Sequence, residues 1–272
     1  MSSLNLQWNG IKESKDDAIE TKVFEIVAKW LKSDELLHPL NEHAKDLYKL
    51  LGEPHYTNYD GRKSFLDVIM EIAEQIPHAD RAQDRLASLF KKISQCDRVA
   101  LPQGAVGTYV YCMNGFETVL KDREARERLF PAEKAHFVNS RAFIARLCAN
   151  GSYEGHNWVI TSMRTAFEDK ERPSDEDYPF IVQGAAMFII HAGQWVHQKI
   201  VQGKEHSWEH FRRVEEVGEL YGGDSLGYKR WKFWQDGFGK AILSGDIIGA
   251  PRDHANQAYR LMVAFDSILG TK

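Results

Sequence analysis

Cysteine is scarce: the 272 residues contain three, Cys96, Cys112 and Cys148. A disulfide framework needs denser cysteine and a zinc site of the common type needs close pairs, so reduced thiols, some of them in the core, are expected. No block of one charge sign occurs either. The 35 basic and 39 acidic residues are mixed along the chain and leave a net charge of −4. A basic stripe of the kind that tracks nucleic acid is missing, and so is a polybasic run suited to an anionic membrane. Met1 to Gly10 lacks the basic start and apolar run of a signal peptide, so Asn150-Gly151-Ser152 is expected to stay unglycosylated and the compartment to be the cytoplasm, with the nucleus as the other option. Neither a G-x-G-x-x-G turn nor a P-loop is present, so no cofactor is expected.

What remains is an ordinary globular composition, 43% hydrophobic and 27% charged. Apolar residues recur at helical spacing almost throughout. Ile19, Val23, Ile26, Val27 and Trp30 mark a first helix, and the stretch from Pro39 to Leu51 a second, stopped by Gly52. A loop is read from Tyr56 to Gly61. Phe65, Ile69, Ile72 and Ile76 then define one amphipathic segment and Ala82, Leu86, Leu89 and Ile93 another, joined through Pro77-His78 as a helical hairpin. Leu101 to Leu120 is ambiguous; Val106 to Met113 reads as a short helix, since one isolated strand has nothing to pair with. Further helices are predicted over Pro131 to Asn150, His156 to Asp169, Tyr178 to Val201, Trp208 to Tyr221, Tyr228 to Leu243 and Arg252 to Leu269. The expected fold is all-α, a single-domain bundle of about nine or ten helices over residues 14–272 behind a short N-terminal tail, with no significant sheet. The acidic connection from Glu168 to Pro179 is the best candidate for a mobile loop.

Two motifs look like chemistry. Gly223-Asp224-Ser225-Leu226 spells a hydrolase signature, but that chemistry presents its serine on a strand-to-helix turn. Here the tetrapeptide falls between helices, where Asp224 or Ser225 is expected to act as an N-cap. His206 and His210 have the i, i+4 spacing that shares a metal on one helix face, yet no third ligand is placed by spacing, so no metal is expected.

The segment Phe180 to Gln198 carries no Lys, Arg, Asp or Glu and reads as a buried central helix; its glutamines and histidines argue against a membrane span. Steps of 100° place Gln183, Met187, His191, Gln194 and Gln198 on one stripe with Trp195 beside it. Buried polar groups need partners, so this stripe meets other polar groups, water or a ligand, and His191 is its one proton shuttle near neutral pH. On the helix from Pro131, Asn139, Arg146 and Asn150 share an edge. Arg146 is expected to pair with a carboxylate such as Glu168, reach solvent or anchor a ligand; Arg164 and Glu168, spaced i, i+4, are expected to pair at the surface. Trp231, Trp234 and Phe238 fall on one helical face, with core as the ordinary reading.

Several of these segments resemble a fungal family of helical proteins catalogued as a domain of unknown function. The residues that carry the resemblance are Ile76-Pro77-His78, Ala82 through Leu86, Asn139, Ala142-Phe143, Ala145-Arg146-Leu147, Trp158, Ala166, Glu168, His191-Ala192-Gly193 and Trp231 through Trp234, over about residues 65–240. The resemblance implies a fungal source and an all-α fold, and no assigned activity. The functional expectation is therefore an apolar small-molecule ligand held by Gln183, Gln194, Trp195, Asn139 and Arg146, with His191 as the catalytic candidate. The corresponding activity would be a cofactor-independent isomerisation or cyclisation in fungal specialised metabolism. The alternative is a non-catalytic interaction or regulatory module.

Overall fold

A computed structural model describes residues 4–8, 17–33, 40–51, 59–94, 134–203 and 216–269. Among them all regular structure is helical: α1 (Asp17–Lys32), α2 (Leu40–Leu51), α3 (Tyr59–Gln75), α4 (Arg81–Ser94), α5 (Lys134–Ala149), α6 (His156–Phe167), α7 (Tyr178–Val201), α8 (Tyr228–Ser244) and α9 (Ala250–Leu269). The all-α reading holds. The readings at Val106 to Met113, His206 to His210, Cys96 and Cys112 lie outside the described residues. No helix among the described residues is long and apolar enough to cross a membrane, and no group of three metal-ligating side chains occurs among them.

The chain forms two compact units. The first holds α1 to α4, α5 as far as Phe143, and Asn150–Tyr153. Its interior is built from Val23, Val27, Trp30, Leu47, Ile69, Ile72, Leu86 and Leu89, each almost completely excluded from solvent. Polar side chains close the helix ends that these apolar faces bring together. Gln83 on α4 donates to the carbonyls of Ala73 (2.8 Å), in the last turn of α3, and Ile76 (2.9 Å), just past its end. Arg85 does the same for α1, donating to Trp30, Leu31 and Ser33 carbonyls while its guanidinium lies over the Trp30 ring. Helix α3 starts at Tyr59, inside the predicted loop, so Tyr59 to Gly61 belong to its first turn.

The second unit holds Ile144–Ala149 and α6 to α9. Helix α7 packs most extensively on α9, and Gly193 permits the approach: a Cβ there would stand 2.5 Å from the Phe265 ring. Trp231, Trp234 and Phe238 on α8 are fully buried, as their shared face predicts. Helix α8 stops at Gly245, whose φ of 78° is the left-handed conformation that a Cβ disfavours. Its start departs from expectation. Gly227 rather than Asp224 or Ser225 is the N-cap, and its N–H donates to the Ile200 carbonyl at 2.8 Å. The predicted helix to Tyr221 also fails in its described part, Glu216 to Tyr221, which is non-helical. Its backbone N–H groups turn elsewhere: Leu220 donates to the Glu168 carbonyl at 2.8 Å and Gly218 to the Glu168 carboxylate at 2.9 Å.

Candidate functional site

Glu168 follows the last turn of α6 and is fully buried. A buried carboxylate must be compensated, and here α8 supplies the compensation. Arg230 donates from Nε to Oε1 at 2.8 Å and from Nη2 to Oε2 at 2.9 Å, a two-pronged pair with both side chains wholly excluded from solvent. Trp234 Nε1 adds a bond to Oε1, and the remaining Arg230 donors reach the Ser225 and Glu216 carbonyls. The expected Arg164–Glu168 surface pair is therefore not formed. Arg164 turns to Asp169 at 3.4 Å instead. Nor does Arg146, itself buried, take up Glu168, because Arg230, Trp234 and Gly218 occupy the carboxylate.

With Glu168 turned into the core, its neighbours Phe167 and Asp169 face a solvent-open cleft of about 520 Å³. That volume is in the range of small-molecule sites. Its apolar lining comes from Ala166 and Phe167 on α6, Pro173 on the connection and Phe233 on α8, with the exposed Leu220 at its edge. Phe233 and Gly237 share one face of α8 with Lys240 (i, i+4, i+7), beside the buried Trp231–Trp234–Phe238 face. Gly237 makes room for the floor, since a Cβ there would stand 2.7 Å from Cγ of Phe167. The Phe167 ring meets Phe238 edge-on at 4.7 Å, and Phe233 packs on Tyr221 at 5.0 Å, so both aromatic walls are braced from behind.

The rim is polar. Lys170, Arg172, Tyr178 and Lys240 stand around it with Thr165 and Asp169. Arg172 lies 4.0 Å above the Tyr178 ring and pairs with Asp246 at 2.9 Å, which tethers the connection predicted to be a loop. Burial pushes the Tyr178 hydroxyl above the ordinary phenol range; Arg172 opposes that shift and Asp246 adds to it. Near neutral pH Tyr178 is therefore a proton donor, and the cleft offers hydroxyl and ammonium donors above an aromatic floor.

The predicted site residues are not gathered in this cleft. Asn139 belongs to the first unit, where its side chain accepts from the His78 N–H at 2.8 Å and donates to the Glu74 carbonyl at 2.7 Å, pinning the turn between α3 and α4. Gln183 is buried on α7 and donates to Nδ1 of His254 on α9 at 2.9 Å. His191 and Trp195 are half-buried, whereas Gln194 and Gln198 are exposed. Ala192 breaks the helical geometry (φ −136°, ψ 18°), so the stripe projected through a straight helix does not stay on one face. The buried histidine of α7 is instead His197, fully enclosed, with neither ring nitrogen hydrogen-bonded and its ring edge-on to Trp231 at 4.9 Å. Burial lowers its pKa, against an opposing pull from Asp266. Cys148 is a buried core thiol, pushed up to about 12 by desolvation. The cleft residues Lys170, Arg172 and Tyr178 had one sequence signal, the polar connection itself; Phe233 and Lys240 had only their position off the tryptophan face.

A comparison with curated proteins finds no match. A family model described as "Protein of unknown function (DUF3632)" matches residues 67–238, a span that includes the Glu168–Arg230 pair and most of the cleft lining. The match covers more than half of the chain, which therefore belongs to the DUF3632 family.

Proposed function

We propose that this protein binds a small, largely apolar molecule in the cleft between α6, α8 and the connection leading to Tyr178. The carrying observation is the cleft itself: about 520 Å³, floored by Phe167 and Phe233 and rimmed by groups able to donate protons. The chemistry that suits such a site is a cofactor-independent isomerisation or cyclisation, in which the aromatic floor holds the substrate's shape and Tyr178 or a lysine supplies a proton. Fungal specialised metabolism, a cytoplasmic location and a role of this kind form one coherent reading. The test is a titration with the neutral fluorophore N-phenyl-1-naphthylamine. Wild-type protein should enhance its fluorescence saturably, and Thr165→Trp, which fills the cleft from its half-exposed wall, should abolish the enhancement. Equal binding by both proteins would refute the proposal. A second reading, a non-catalytic interaction module, has in its favour the exposed Leu243 and Ile248, 86% and 76% accessible.

A further inference from the structure

Lysine at the mouth of an apolar cleft normally either points into bulk water or faces a carboxylate. The carboxylate that lines this cleft, Asp169, is held by Arg164, and the rim arginine, Arg172, is held by Asp246. Lys170 and Lys240 also line it, and among the described residues neither has an acidic partner. They come from different elements, the connection after α6 and the last turns of α8, so tertiary packing rather than a local charge run brings them to one opening. This happens in a chain whose net charge is −4. Glu171 and Asp175, exposed on the same connection, are not part of the cleft lining.

We infer that the ligand is an organic anion: an aromatic or polycyclic body seated on Phe167 and Phe233, with a carboxylate, sulfonate or phosphate held at the mouth by Lys170 and Lys240. This rests on the small-molecule reading of the cleft and adds to it a charge and an orientation. The aromatic floor contributes affinity by burial, whereas the two ammonium groups discriminate between an anion and its neutral analogue. Arg172, already over Tyr178 and bound to Asp246, fixes the rim rather than meeting the anion.

Two probes of similar shape separate the charge from the apolar contribution: 8-anilinonaphthalene-1-sulfonate and neutral N-phenyl-1-naphthylamine, titrated against wild type, Lys170→Gln, Lys240→Gln, the double variant and Thr165→Trp. Both lysines are exposed, so these variants keep the fold. The sulfonate should bind more tightly than the neutral probe, and each lysine replacement should cut that advantage by about three- to five-fold. The double variant, or high salt, should remove it, whereas Lys229→Gln, exposed on α8 but outside the cleft, should leave it intact. Equal affinity of the two probes, with a ratio indifferent to both lysines, would overturn the anion inference while leaving the cleft as a small-molecule site. Binding of both probes undiminished in Thr165→Trp would overturn the parent reading and this inference together.

Discussion

Arg230 and Glu168 lie 62 residues apart in sequence and meet as a fully buried two-pronged pair, 2.8 Å between Arg230 Nε and Glu168 Oε1. The pair joins the end of α6 to the start of α8 and, through Gly218, Ser225 and Glu216, fastens the segment between α7 and α8 to both. Because Phe167 and Asp169 flank Glu168, the same contact sets the floor and one edge of the cleft. Removing one partner leaves a buried charge uncompensated. Glu168→Ala and Arg230→Met should each lower unfolding stability by about 3–5 kcal/mol. The double variant Glu168→Met/Arg230→Met should lose markedly less than the sum. Urea unfolding followed by tryptophan fluorescence checks both; additive losses would mean that the two groups do not stabilise the fold as a pair.

Glycine contacts give a second, sharper check on this packing. A Cβ on Gly218 would stand 2.5 Å from the Glu168 backbone, whereas one on Gly222 meets nothing within 4 Å. Gly218→Ala should therefore cost about 1–3 kcal/mol, and Gly222→Ala should be close to neutral. Thermal unfolding of the two variants side by side reads the difference directly. Equal midpoints would contradict the close approach at Gly218.

His197 predicts the pH dependence of stability. Burial depresses its folded pKa below the ordinary value of 6.5, with Asp266 opposing, so the unfolded chain takes up its proton first as pH falls. The stabilisation is complete above that ordinary value and is lost progressively below it, down to the folded pKa. His254, lowered by burial against Asp253, acts in the same direction. The unfolding midpoint should drop between about pH 7.5 and pH 5.5, and His197→Phe should flatten that slope. An unchanged slope would show that His197 does not take part.

Cys148, enclosed in the second unit and with its thiol pushed up to about 12, should resist alkylation. Peptide mapping after iodoacetamide should find Cys148 unmodified in native protein and fully modified in denaturant. Modification under native conditions would contradict its burial.

Much of the fold was legible because helix periodicity is local. The apolar faces of α1, α4 and α8 follow from spacing within each segment. The pairing of Glu168 was not legible. Spacing offered Arg164 one turn away, but tertiary packing brought Arg230 from α8 and buried both groups, a geometry that no local pattern encodes. The polar stripe on α7 failed for a related reason: projection at 100° per residue assumes an unbroken helix, and the break at Ala192 returns Gln194 and Gln198 to solvent while enclosing His197. The cleft itself draws on α6, α8, two connections and the first residue of α7, so its residues share no period at all.

The central claim is that the cleft beside the Glu168–Arg230 pair holds a small molecule. Native mass spectrometry of the full chain purified from its own host, compared with Thr165→Trp expressed and purified in the same way, tests it most directly. A discrete adduct of small-molecule mass is expected on the wild type and should be missing from the variant. The same adduct on both proteins, or none on either, would contradict it.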